Sequence, residues 1–219
     1  MDRIVNIAQN TTLVLCFVAA AWLAIRKRDR AWTLLAFFFG CFALGDLYWM
    51  SCVLFYGETP TITVVSSLSW YATYIFLYMT LRQLAPPEST REKRTLPWLG
   101  FAFTLAMAAF FFSFYVVWEI ELGEKYVLWG KALDNLIVAL LMGLLLFSAI
   151  RRLMDRDKYP AQRYFCIVVL VFCLLEYALW TASCFWWTDT LGNPYYWFDF
   201  LLTANFFFFL PATKKAVAA

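Results

Sequence analysis

Seven apolar stretches of roughly 20 residues, divided by short polar breaks, decide what this sequence can fold into. A bilayer's hydrocarbon core is about 30 Å thick and holds no water to satisfy a bare backbone. A helix rising about 1.5 Å per residue crosses it in about 20 residues with every backbone group paired internally. The stretches lie near 6–26, 31–55, 62–84, 96–118, 127–150, 162–187 and 194–212. The breaks carry turn and charge signals: Arg26 to Arg30, Gly57-Glu58-Thr59-Pro60, Ala85-Pro86-Pro87-Glu88, Gly123-Glu124, Asp155 to Pro160 and Leu191-Gly192-Asn193-Pro194. Hydrophobic residues make up 63% of the 219 and charged ones 15%, against about half and about a quarter in a soluble domain. Rings make up 21%, more than one soluble core of this size can bury. The sequence therefore predicts an all-α polytopic membrane protein, a single seven-helix transmembrane domain over 1–219.

Orientation follows from the basic residues. Of the 18, four lie at 26–30, four at 82–94, five at 151–163 and two at 214–215, all on one side of the predicted bilayer. Only Arg3 and Lys125 lie on the other side, with Lys131 at the start of span five. The positive-inside rule puts the N-terminus outside and the C-terminus in the cytoplasm, in the inner (plasma) membrane of a bacterium. The first span reads as an uncleaved anchor, because its basic cluster follows the apolar run instead of preceding it. Asn10-Thr11-Thr12 matches a glycosylation sequon but lies too near the membrane for that use.

Whole classes of chemistry drop out. The sequence has no histidine, which excludes imidazole metal ligation and Ser-His-Asp or Cys-His catalysis. The six cysteines sit inside apolar runs without metal-site spacing, so neither metal nor cofactor is expected, and they read as small packing residues. Cys52 and Cys184 fall near outer span ends, where a bridge is conceivable. Lys and Arg confined to short loops offer no stripe for nucleic acid.

Function is best sought where the sequence accepts a cost. An ionisable group near mid-membrane costs at least about 2.5–3.5 kcal/mol on insertion scales. Five stand out: Asp46 in span two, Lys131 and Asp134 in span five, Glu176 in span six and Asp199 in span seven. At about 1.5 Å per residue, Asp134 and Asp199 lie about 10 and 8 Å below the outer edge, and Asp46 and Glu176 about 13 and 16 Å. All four acids fall in the outer half, as if lining one cavity open to the outside. Helical spacing sets Trp49 beside Asp46, Trp180 and Ser183 beside Glu176, and Tyr195 and Thr203 beside Asp199. Span three adds a stripe of Ser67, Tyr71, Tyr74 and Tyr78. Polar-tipped aromatics of this kind hold carboxyls by hydrogen bonds, and their faces bind organic cations. Four acids against Lys131 leave an excess of negative charge in a low-dielectric region. Protons, water or a bound cation must balance it. Against this stands the plain alternative that such groups are hydrogen-bonded struts between helices, worth about 0.6 kcal/mol each. Phe206 to Phe209 and Phe110 to Phe112 read as packing or lipid-facing residues. Tyr195, Tyr196, Trp197, Trp186 and Trp187 read as an interfacial belt.

Two patterns bear on the architecture. Asp46, Trp49 and Ser51-Cys52 recur in order as Glu176, Trp180 and Ser183-Cys184. If this is a repeat, spans 1–3 and 5–7 are parallel copies joined by span four, as in several small transporters. Second, Leu44-Gly45-Asp46-Leu47-Tyr48-Trp49, then Gly57, Pro60 and Ser66 to Tyr74, resembles the GDxxW … G … P … S … Y pattern in the multi-pass input regions of bacterial diguanylate cyclase-type signalling proteins. That resemblance covers about forty residues. It implies a sensory role passed to a separate signalling partner. The N-out, seven-span layout also resembles microbial rhodopsins, but the last span lacks their retinal lysine and offers Asp199, Thr203 and Asn205 instead.

The expectation is a protein binding a small, cationic or proton-coupled molecule in an outward-facing pocket, as sensor, receptor or transporter, alone or as a homo-oligomer. The candidate residues are Asp46, Trp49, Ser67, Tyr71, Tyr74, Lys131, Asp134, Glu176, Trp180, Asp199 and Thr203. The competing classes are a lipid-modifying enzyme using paired carboxylates, which is less favoured, and a membrane scaffold subunit.

Overall fold

The computed structural model describes residues 2–57, 64–84, 96–122, 127–154, 160–185, 188 and 190–218. They form seven helices: α1 (Asp2–Lys27), α2 (Arg30–Tyr56), α3 (Val64–Leu84), α4 (Leu96–Leu122), α5 (Val127–Met154), α6 (Arg163–Cys184) and α7 (Pro194–Val217). Among the described residues, six of the helices are long and apolar enough to cross a membrane: Ile4–Lys27, Arg30–Tyr56, Val64–Leu84, Pro97–Phe114, Leu133–Met154 and Arg163–Cys184. α7 is 24 residues long, about 36 Å at about 1.5 Å per residue, and so also matches a bilayer in length. Its Asp199, Thr203, Asn205, Lys214 and Lys215 lower its mean hydropathy. Several helices run past the expected span ends, α7 to Val217 instead of 212, because helical hydrogen bonding continues into polar flanks where hydrophobicity has ended.

Local chemistry sets the helix ends. Arg28 takes a left-handed φ of 51° where α1 stops, and its amide still reaches Ala24 O at 2.8 Å. Asp29 then caps α2, its Oδ1 accepting from the amides of Ala31 (2.8 Å) and Trp32 (3.3 Å). Gly57, at φ 75°, closes α2 in the left-handed conformation that glycine adopts without strain. Asn193 accepts from Tyr195 N at 3.0 Å and Pro194 fills the first turn of α7. Basic residues end α1, α3, α5 and α7, where cations complement the helix dipole.

Six helices close a ring. α1 packs on α2, α2 on α3, α3 on α5, α5 on α6, α6 on α7, and α7 returns to α1; α4 lies outside against α5 and touches α6. Inside the ring, Phe38, Phe39, Phe165, Phe172, Phe206 and Phe209 are fully buried. Phe38 meets Phe172 edge-on at 5.7 Å, Phe42 meets Phe206 at 5.2 Å, and Phe165 meets Phe209 at 5.8 Å. These distances are typical of favourable ring pairs. Phe207 and Phe208 face outward, so the run at 206–209 divides between packing and the outer surface by helical turn. The outer surface is studded with large apolar side chains such as Phe37, Leu44, Phe55 and Trp98, a continuous cover that suits lipid and not water.

Lipid tails are as apolar as the side chains, so close packing and interhelical hydrogen bonds hold such a bundle together. α4 approaches α5 through small residues: a Cβ on Gly143 would stand 2.8 Å from Thr104 Oγ1, and one on Gly100 2.8 Å from Ile150 Cδ1. Tyr177 of α6 locks that seam, its hydroxyl donating to Ala139 O at 2.9 Å beside Thr104 Oγ1 at 3.3 Å. Asn10 donates to Ala43 O at 2.9 Å and ties α1 to α2, which makes it a buried strut and not a glycosylation acceptor. All six cysteines are free thiols, so Cys52 and Cys184 are not bridged. Tyr196 is buried and departs from the expected interfacial belt, whereas Trp197 is exposed and donates to Leu191 O at 2.9 Å. Trp186 and Trp187 lie outside the described residues.

Candidate functional site

The four acids divide three and one. Asp46 of α2, Glu176 of α6 and Asp199 of α7 face the interior of the ring close enough to act on one another electrostatically. Glu176 and Asp199 are 2% and 1% exposed. Among the described residues, no Lys or Arg figures among the charged neighbours of Asp46 or Glu176.

Asp46 is positioned by an indole. Trp70 of α3 donates its ring N–H to Asp46 Oδ1 at 3.2 Å. The approach needs Gly45, because a Cβ there would stand 2.8 Å from Trp70 Nε1 and 3.2 Å from Ser69 Cβ. Glu176 has Trp180, one turn along α6, and Tyr74 of α3 as neighbours. The other oxygens, Asp46 Oδ2 and Glu176 Oε1, are buried with no hydrogen-bond partner among the described residues. Below the acids lies an aromatic floor. Phe42 is one turn from Asp46, Phe172 one turn from Glu176, and their rings lie 6.3 Å apart at 88°. Tyr74 packs on Phe172 at 6.1 Å.

Asp134 belongs to a different arrangement. Ser67 Oγ donates to its Oδ2 at 2.6 Å and Tyr71 OH to its Oδ1 at 2.5 Å, so α3 holds α5 through two hydrogen bonds. The stripe on α3 thus serves three ends: Ser67 and Tyr71 reach Asp134, Tyr74 reaches the acids, and Tyr78 packs under Arg82, 5.8 Å from its ring centroid. α3 thus holds Asp134 at its seam with α5.

The remaining candidates are as follows. Trp49 lies on the same helix as Asp46, with its ring 6.0 Å from Trp70. Thr203 donates to the backbone oxygen of Asp199 at 2.9 Å, so its hydroxyl serves the helix and not the carboxyl. The side chain of Lys131 lies outside the described residues. Sequence spacing missed Trp70, because periodicity finds partners along one helix and Trp70 arrives from the next; glycine immediately before a membrane acid was the available signal. Among the described residues, no three His, Cys, Asp or Glu side chains are arranged to hold a metal ion. No protein-family model, curated protein or solved structure matches the chain.

Proposed function

We propose that the chain spans the membrane seven times, N-terminus outside, and binds a small molecule in its outer half at Asp46, Tyr74, Glu176, Trp180 and Asp199, as a transporter. One observation carries the proposal: two acids on facing helices, Asp46 and Glu176, each keep a buried oxygen without a hydrogen-bond partner among the described residues. A strut uses its acceptors, as Asp134 does. A binding centre leaves them for something else.

The ring favours transport over reception. Exchanging α1–α3 with α5–α7 turns the α1–α2 contact into α5–α6, α2–α3 into α6–α7, and α3–α5 into α7–α1, and all of these contacts exist. α4 is the helix left outside, as the joining span of a parallel repeat should be. Phe38 and Phe42 both meet Phe172, and one turn further along, Asp46 acts on Glu176, so α2 and α6 advance in the same direction as equivalent helices must. In the diguanylate cyclase-type reading, the same centre would bind without moving its ligand.

The test uses the purified full chain in lipid nanodiscs and proteoliposomes, probed with benzylguanidine, glucose, glutamate and labelled lipid extract. At least one small probe should raise the melting temperature of the wild type but not that of Glu176→Gln, and should enter proteoliposomes. If Asp46→Asn, Glu176→Gln and Asp199→Asn leave all binding and uptake intact, the proposal fails. Conversion of the lipid extract, lost in Glu176→Gln, would establish the enzyme instead.

A further inference from the structure

We propose that one end of the bundle, where α1 closes, α2 opens and α7 closes, is a binding surface for acidic phospholipid headgroups, with the lipid's acyl chains lying along α1 and α7. The surface is separate from the three acids and does not depend on what they bind. Ring contacts bring its parts together. Phe42 meets Phe206 and Phe38 meets Phe209, each pair at 5.2 Å, so α2 and α7 run in opposite directions and the start of α2 lies at the end of α7. The turn at Arg28 and Asp29 joins α1 to α2, which sets the end of α1 at the same level, and α1 packs on α7. Two basic clusters far apart in the sequence therefore share one end.

Arg26, Arg28 and Arg30 are exposed there, as are Lys214 and Lys215 of α7. Among the described residues the acid at this end is Asp29, and its Oδ1 is spent on the amides of Ala31 and Trp32. Helix dipoles do not account for all of this charge. Arg26, Lys214 and Lys215 complement the ends of their own helices, but Arg30 opens α2, where the dipole disfavours a cation. An anion outside the chain accounts for it. The faces leading to the cations identify that anion as a lipid. On α1, Val18, Trp22 and Ile25 are exposed at steps of four and three, and Arg26 stands one turn from Trp22. On α7, Phe208 and Pro211 are exposed at a step of three, and Lys215 follows one turn on. Each stripe passes from apolar side chains to a cation, the order in which a phospholipid presents acyl chain and phosphate. A soluble polyanion would match the charge but not the apolar stripe. Phosphatidylcholine would match the stripe, but its choline cancels the phosphate charge that the arginines and lysines attract.

The test follows Trp22 emission from the purified full chain in phosphatidylcholine nanodiscs titrated with acyl-brominated phosphatidylglycerol or acyl-brominated phosphatidylcholine. Bromine quenches a neighbouring indole, and the difference between wild type and Trp22→Phe isolates the Trp22 signal. Phosphatidylglycerol should quench that signal at the lower mole fraction. Arg26→Gln and Lys215→Gln, verified as folded by their melting curves, should each weaken the preference about fivefold. Arg82→Gln, on α3 with α2 between it and α1, should leave the preference unchanged. The proposal is overturned if both lipids quench Trp22 equally, or if Arg26→Gln and Lys215→Gln keep the wild-type preference. An equal loss in Arg82→Gln would also overturn it, by making the attraction a property of every cation at that end. Displacement of the lipid by inorganic phosphate or by an oligonucleotide at matched charge would overturn it in favour of a soluble anion.

Discussion

Asp46 shows how one residue position is paid for by its neighbours. Its Oδ1 accepts from Trp70, and Trp70 reaches it across Gly45. Gly45→Ala would place a methyl group 2.8 Å from the indole nitrogen and 3.2 Å from Ser69 Cβ, so the indole or the helices must shift. Overpacking of this kind costs about 1–3 kcal/mol. The variant should melt lower in nanodiscs and shift tryptophan emission as Trp70 loses its acceptor; an unchanged melting curve and spectrum would show that the indole is not packed there. The acids themselves were legible from sequence, because a charge in an apolar run announces its cost. Their partners were only half legible. Trp180 follows Glu176 by one turn and was found, whereas Trp70 comes from another helix and was not.

Among the elements, the seam between α3 and α5 is the clearest case of a strut. Ser67 and Tyr71 both spend their hydroxyls on Asp134. Ser67→Ala and Tyr71→Phe should each cost about 0.6 kcal/mol, up to about 1.7, in the range of hydrogen bonds between membrane helices. Because both donate to one carboxylate, the double variant should not be the sum of the singles. A double-mutant cycle on thermal unfolding measures the coupling, and strict additivity would mean that the two bonds do not share Asp134. Sequence depth alone grouped Asp134 with the other acids. Depth fixes height in the membrane but not the direction around the helix axis, so the partners of Asp134, Ser67 and Tyr71, could not be read from it. For the same reason α7 was legible as a helix, with its Asn193 cap and Pro194, while its polar interior face lowers the hydropathy by which spans are recognised.

The whole molecule was legible as a set of helices but not as an arrangement of them. Apolar length and breaks gave seven elements in the right order, because the bilayer makes that constraint local in sequence. Ring closure through α3–α5 and α7–α1, with α4 outside, depends on contacts between distant parts of the chain. This closed ring sets three acids from α2, α6 and α7 above a floor of phenylalanines. Buried charges kept for structure stabilise the fold, and removing them is costly. Charges kept for binding are an expense to the fold, and their removal is neutral or stabilising. The most direct measurement is therefore the melting temperature of the full chain in nanodiscs, wild type against Glu176→Gln, a change that keeps the size of the side chain and removes the ionisable group. The expected result is melting at or above the wild-type temperature. A fall of about 2–4 °C or more, equivalent to about 1 kcal/mol in a chain of this size, would make Glu176 a strut and contradict the binding centre.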